Sequence, residues 1–522
     1  MSQPAGETHA VLSVPQILAN TPYRPWILNK RLRKLYFALI PACIFVCATN
    51  GFDGSMINGI QAVKSWQDSF NHPSGAILGF MAACYPLGAV LSTPFAPPIA
   101  DRFGRRWSVF IGSVIMCIGV ALQTASNTVA FFCGARVVVG FGITMALAAA
   151  PVLISELAHP QDRVIFTAIY GTSFYLGAVP AAWVTYGTFR IPNSWGWRIP
   201  SILQAVPAII QVIFIFMLPE SPRWLVYKDR HEEALNIFVK YHGMGSSGDE
   251  LAQAEYFEVV ETLRIEKEAR AVGLKLFFQT RGNMHRLAIL ITFGFFGQWS
   301  GNGLVSYYLA KILTSIGITG QSEQNMINGV LTTVNYVTGV FAAFMTMHVD
   351  RRKMFMGGGI GMILFFSSLT IGLAVYNEKH SSAAGRAALG FIFIYYVAYN
   401  ICLNATLYLY PSEVLPFRLR AMGMGVLVFS NKLALFLNQF VNPIGMDSLG
   451  WKYYLVYVGW LVVEVIVMYF LWPETRGYSL ERVAEVFDGP AIKDALDTAV
   501  AKDMMNEKVH LENVEVTNVK DV

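Results

Sequence analysis

Asp53, in the word Gly51-Phe52-Asp53-Gly54, and Arg136 each interrupt a long apolar run of the chain. A carboxylate placed in hydrocarbon costs roughly 2.5–3.5 kcal/mol on insertion scales, so its presence there asks for a purpose. If the two helices pack together, the guanidinium holds the carboxylate ionised, and its withdrawal raises the affinity of the acid for a proton. That is a proton-coupling device. A structural ion pair with no protonation cycle is the other chemistry the two residues allow.

A second set of polar groups sits in other apolar runs: Thr172 in the first half, then Gln298, Asn302, Tyr307, Tyr308, Asn335, Asn404, Tyr408, Asn438 and Gln439. Amides and hydroxyls of this kind bond hydroxyl groups, and aromatic faces cover the apolar face of a ring. A buried amide without a partner is costly, so each must face a cavity or another helix. For any one of them interhelical bonding serves as well as ligand contact. As a set they predict a lined cavity.

The elements that must position these groups follow from composition. The chain is 54% hydrophobic and 14% charged, against about 25% charged residues in soluble domains. Crossing ~30 Å of hydrocarbon takes about 20 helical residues. Runs of that kind lie at 35–59, 77–98, 107–125, 130–155, 165–187 and 197–218, then at 285–312, 325–348, 354–375, 387–411, 421–444 and 452–472. They are numbered here as spans 1 to 12. Their unbroken apolar character favours helices over the alternating strands of a barrel. The expected fold is an all-α membrane protein of about twelve spans in two six-helix, pseudo-symmetric bundles.

Loop charge orients the chain. Arg24, Lys30, Arg31, Arg33 and Lys34 precede span 1, and Arg102, Arg105 and Arg106 follow span 2. Arg163 follows span 4, Arg351, Arg352 and Lys353 follow span 8, and Arg418 and Arg420 follow span 10. Every second loop is basic, which predicts that these loops and both termini are cytoplasmic. The net charge of +5 therefore reads as topology and not as nucleic-acid binding. No Gly-Lys-Ser/Thr phosphate loop is present, so energy must come from a gradient. The six cysteines all fall inside spans, and neither a disulfide nor a metal site is expected. No cofactor is implied. The polar first 34 residues lack a cleavage signal, and span 1 is expected to act as its own insertion signal.

The two halves repeat short words. Ser155-Glu156 with Arg163 returns as Ser412-Glu413 with Arg420; Asp101-Arg102-Phe103-Gly104-Arg105-Arg106 returns shortened as Asp350-Arg351-Arg352-Lys353; Pro219-Glu220-Ser221-Pro222-Arg223 returns as Pro473-Glu474-Thr475-Arg476. A parallel repeat of this kind places a binding site between two half-bundles near the bilayer midplane. Asp101, Arg105, Arg106, Glu156, Arg163, Glu220 and Arg223 in one half, with Arg352, Glu413, Arg420 and Glu474 in the other, suit a cytoplasmic gate that links across and within halves when closed. Serving only as topology markers is their alternative role.

These motifs, with Arg136-x-x-x-Gly140-x-Gly142, Pro151 to Glu156, Tyr410-Pro-Ser-Glu413, and Pro473-Glu-Thr-Arg-Gly477 followed by Ser479-Leu-Glu481, resemble the sugar porter family of the major facilitator superfamily over all but the two tails. Trp197 to Gln204, Gly297 to Gly303 with Tyr307-Tyr308, Glu413 to Pro416 and Asn442-Pro443 look most like its fungal lactose permease and cellodextrin branch. The resemblance implies a proton-coupled sugar symporter working by alternating access, with Asp53 as the proton site. It also implies departures: Gly171 where span 5 usually carries an amide, Gly297 for the first of two glutamines, Asn302 for an asparagine one place later, and Tyr408 for a tryptophan. These speak against a simple hexose and leave room for a larger or unusual ligand; the branch they fit implies a disaccharide such as lactose or cellobiose. A uniporter, a non-transporting sensor and an exporter of a non-sugar metabolite stay open; an enzyme does not.

The expected organisation is a cytoplasmic tail over 1–34, bundles over 35–218 and 285–472, a cytoplasmic linker with short amphipathic helices over 219–284, and a cytoplasmic tail over 473–522. Expected partners are sugar, protons and membrane lipid, with no nucleic acid, for a monomer in the plasma membrane.

Overall fold

A computed structural model describes residues 25–243, 250–478 and 480–488, with three isolated positions nearer the N-terminus. Arg24 and the charged tail from Lys493 to Lys508 lie outside the described residues. Among the described residues there are helices and no strands. The first half contains Lys30–Gln61, Gly75–Ser92, Arg105–Ala125, Val129–Leu157, Pro160–Thr188 and Trp195–Met217. The second contains span 7 in two pieces, Arg281–Trp299 and Asn302–Ser315, then Gln321–His348, Arg351–Lys379, Ser382–Val414, Phe417–Leu449 and Tyr453–Leu471. Helices run His231–Tyr241 and Glu250–Val272 in the interval between halves.

The sequence explains the irregularities. Span 7 breaks because Ser300-Gly301 turns the chain, with Gly301 at φ +102, a left-handed conformation open to glycine. Pro41 opens a π-helical turn at Ile40–Ile44 inside span 1, where its missing N–H leaves a gap in the helix ladder. Spans 1 and 5 pack backbone to backbone: a Cβ at Gly51 would lie 1.8 Å from the Phe174 carbonyl oxygen and one at Gly177 1.7 Å from that of Ala48. Small residues permit such approach between membrane helices. One glycine pair thus fixes the helix that carries Asp53.

The halves are joined at the end opposite the basic loops. Asn58 Nδ2 donates to Asn328 Oδ1 at 2.7 Å, Gln61 Nε2 to the Tyr307 carbonyl at 3.0 Å, and the Gly75 N–H to Asp447 Oδ2 at 2.6 Å. At mid-depth Asn404 Nδ2 reaches Tyr175 Oη at 2.9 Å. The acids near the basic loops bond within their own half, as described below.

Candidate functional site

Asp53 and Arg136 meet. Both are 1% exposed, and Arg136 Nη1 donates to Asp53 Oδ1 in a direct ion pair. The same oxygen accepts from Gln204 Nε2 at 2.6 Å. The guanidinium also lies 5.0 Å from the centre of the Tyr85 ring, and Tyr85 Oη donates to Asn50 Oδ1 at 2.5 Å. One carboxylate is thus held by a cation and an amide from two other spans. Arg136 Nε and Gln204 Oε1 are buried without a partner among the described residues. Gln204 ends the Trp197 to Gln204 motif, which by itself assigns it no role; a glutamine inside an apolar span is its signal in the sequence.

The second polar set divides. Gln298 Nε2 donates to Asn431 Oδ1 at 3.3 Å, and Asn438 Nδ2 donates to the Gln298 carbonyl at 3.0 Å and to Tyr457 Oη at 3.1 Å. Asn442 Nδ2 then reaches Asn438 Oδ1 at 2.7 Å. This seam ties spans 7, 11 and 12, and it engages both ends of the Asn438 amide with protein. Tyr308 is fully buried, with its hydroxyl on the Gln439 carbonyl at 2.5 Å. By contrast, Asn302 Oδ1 and Gln439 Oε1 are buried acceptors without partners among the described residues, and an unmet buried acceptor is costly.

Asn335 and Asn404 come together through Asn400, which donates to Asn335 Oδ1 at 3.4 Å and accepts from Asn404 at 2.7 Å. Tyr307 is half-buried and an electrostatic neighbour of Asp53 and Arg136. Tyr408 is 57% exposed yet neighbours Cys47 and Tyr170 of the other half, so it faces an open space between halves. Thr172 bonds the Ile169 carbonyl at 3.1 Å beside Gly171, whose Cβ position is open. Asn400, Asn431, Tyr175 and Lys432, the last at the middle of span 11, join the polar groups expected from the sequence.

The acids and bases near the basic loops form two copies of one cluster. Glu220 Oε1 accepts the N–H groups of Arg105, Arg106 and Ser221 at 3.1, 3.2 and 2.9 Å. Glu474 accepts those of Arg351, Arg352, Thr475 and Arg476 at 2.8–3.1 Å. Each carboxylate caps the start of a span, where unpaired N–H groups and the helix dipole favour an anion. Ser221 Oγ donates to Glu156, and Thr475 Oγ1 to Glu413 at 2.5 Å. Arg105 lies 3.7 Å from Glu156 and 3.4 Å from Asp101, while Arg351 is 2.8 Å from Glu413.

Partners within these clusters differ from the expected ones. Arg163 leaves Glu156 and pairs with Glu255 of the interval between halves at 3.6 Å. The bridge to Glu413 comes from Arg351, while Arg352 reaches the Tyr469 carbonyl at 3.1 Å. Arg420 Nε is buried without a partner among the described residues. The shorter second loop explains the exchange: with no counterpart of Arg102-Phe103-Gly104, Arg351 follows Asp350 directly and takes the place Arg105 has. Arg106 donates to the Leu218 carbonyl at 2.9 Å, and Arg223 is an electrostatic neighbour of Glu156.

This duplicated arrangement matches a family model, "Sugar (and other) transporter", over residues 39–487. The chain belongs to the sugar transporter family. Curated relatives of this transporter include the high-affinity glucose transporter of Kluyveromyces lactis, 27% identical over 84% of this chain and 82% of that protein. They also include the quinate permease of Emericella nidulans, 24% identical over 95% and 96%. Among solved structures, the xylose transporter XylE from E. coli in a partially occluded inward-open conformation superposes with a TM-score of 0.70 at 22% identity, covering 85% of this chain and 99% of that one. The chain is a membrane transporter with the major facilitator fold, and its relatives are not enzymes.

Proposed function

We propose that this transporter is a proton-coupled symporter that imports a polyhydroxylated solute by alternating access. The observation that carries the reading is Asp53, a buried intramembrane carboxylate held by Arg136 and by Gln204 at 2.6 Å. Removing one partner of such a pair leaves an uncompensated charge worth about 3–5 kcal/mol, which is enough to make proton uptake by Asp53 and a rearrangement of Arg136 a single event. Tyr307 lies beside that pair and carries the coupling toward the solute.

The solute contacts in this reading are Thr172, Gln298, Asn302, Tyr307, Asn335, Asn404, Tyr408 and Gln439, with Tyr308 and Asn438 shaping the wall behind them. The halves 35–218 and 285–472 rock about the site, and 219–284 joins them on the cytoplasmic face. With the basic loops cytoplasmic, the cross-half bonds of Asn58, Gln61 and Gly75 close the outside, and the Glu156 and Glu413 clusters stand apart on the open inner side. A monomer in the plasma membrane, with cytoplasmic termini, completes the picture.

A disaccharide such as lactose or cellobiose is the sugar that the open position at Gly171 supports. The quinate permeases among the relatives support a second reading, a hydroxylated ring bearing a carboxylate. The test is uptake of labelled glucose, lactose, cellobiose and quinate by a transporter-deficient yeast with external pH recorded. Alkalinisation on adding one solute names it and establishes symport; uptake without pH change leaves a uniporter.

A further inference from the structure

Lys432 lies at the middle of the 33-residue helix Phe417–Leu449. At 1.5 Å per residue it is about 24 Å from either end, too far for its side chain to snorkel to a headgroup. Its side chain is half-buried, so it opens on an internal space. That space is the one between the halves, because its electrostatic neighbours there are the Cys47 thiol and the Asp53 carboxylate of span 1. No acid lies within ion-pair distance of Lys432 among the described residues, and Asp53 is already engaged by Arg136. An intramembrane ammonium in a cavity with no counter-ion is costly unless an anion visits it.

The same helix face carries the second half of the argument. Gln439 is seven residues on, two turns or about 10 Å along the same face, and its Oε1 is a buried acceptor with no partner among the described residues. Asn431, next to Lys432, bonds Gln298. The face therefore offers a cation at one end and an unmet acceptor for a hydroxyl at the other, about 10 Å apart between backbone positions.

We propose that Lys432 makes this a site for polyhydroxylated carboxylates: the ammonium binds the carboxylate and Gln439 Oε1 takes a hydroxyl of the same molecule. The inference rests on the transport reading and narrows its substrate to an acid. Charge-assisted hydrogen bonds of this kind give at least ~10-fold in affinity.

The test is competition against labelled substrate in the full-length protein, using gluconate and quinate paired with the neutral sorbitol and glucose. Wild type should prefer the acids by ten-fold or more. Lys432→Gln should lose that preference and Lys432→Arg should keep it, with surface labelling confirming delivery of each variant. Equal inhibition by acids and neutral polyols in wild type overturns the proposal. So does a Lys432→Gln variant that keeps the preference, or one that changes only proton coupling, which would make Lys432 a counter-charge for Asp53. If Lys432→Gln does not reach the membrane, the wild-type ratio and Lys432→Arg still decide. Proton coupling is read separately, from substrate-evoked pH change, so a neutral substrate moved with a proton would sink this inference and leave the symport reading standing.

Discussion

Gln204 Nε2 lies 2.6 Å from Asp53 Oδ1, so the carboxylate keeps a neutral donor on the oxygen that also binds Arg136. Asp53 therefore has one partner whose strength depends on its charge and one that bonds either protonation state through its remaining lone pair. The amide orients the acid while the arginine senses its charge. Gln204→Ala should leave binding of the solute nearly intact and move the pH dependence of uptake, since the amide bonds the charged carboxylate more strongly than the neutral acid. The pH profile of initial uptake rates in wild type and variant checks this; identical profiles would show that Gln204 is only packing.

Glu474 accepts four backbone N–H groups, two at the start of span 9 and two just after span 12. Taking the acceptor away leaves three part-buried donors unmet, at up to about 1–3 kcal/mol each, and a fourth, exposed one to water. Glu474→Ala should lower the melting temperature of the detergent-purified protein by several degrees, and Glu474→Gln, which keeps an acceptor oxygen but loses the charge, should fall between. A thermal-shift series on both variants reads the order directly.

Gly177 touches the Ala48 carbonyl of span 1. A methyl group there forces the two spans apart, and overpacking of this kind costs about 1–3 kcal/mol. Gly177→Ala should reduce surface expression and transport together, whereas Gly171→Ala, in open space, should keep expression. Fluorescence size-exclusion profiles separate the two.

The linker carries a pH-sensitive tie. His242 Nδ1 is 2.6 Å from Glu255 Oε2, and Nε2 is 3.2 Å from the Leu157 carbonyl at the end of span 4. Burial pulls the imidazole pKa down, but the Glu255 carboxylate and the carbonyl outweigh it, and the value rises above its ordinary 6.5; Arg163 opposes this more weakly. Nearby His159 moves the other way, through burial first and then His242. A raised folded-state value means that the stabilisation is complete below pH 6.5 and is lost as pH rises through the raised value. Hydrogen exchange over Glu250–Val272 should therefore quicken as pH climbs above 6.5, after correction for intrinsic rates, and His242→Gln should remove that dependence.

Much of this was legible in the sequence because hydrophobic runs and basic loops report the membrane directly. The twelve spans and the doubled words foretold the two bundles, and Asp53 with Arg136 stood out because charge in hydrocarbon is rare. The division of span 7 at Ser300-Gly301 was hidden, since a run of apolar residues looks the same whether or not one glycine adopts a left-handed φ. The exchange of Arg351 for Arg352 at Glu413 was hidden too: charge counts do not say which of two adjacent arginines faces inward. Asn438 illustrates the remaining limit. Its residue type suits a ligand, but only coordinates reveal that Gln298, Tyr457 and Asn442 already occupy it.

The most direct test of proton coupling is to compare wild type with Asp53→Asn in proteoliposomes carrying an inward proton gradient, measuring both net accumulation of the substrate and exchange at equal pH. Asp53→Asn should exchange substrate across the membrane yet fail to concentrate it. If the variant still accumulates substrate against its gradient, Asp53 is not the proton site and the coupling assigned to it is wrong.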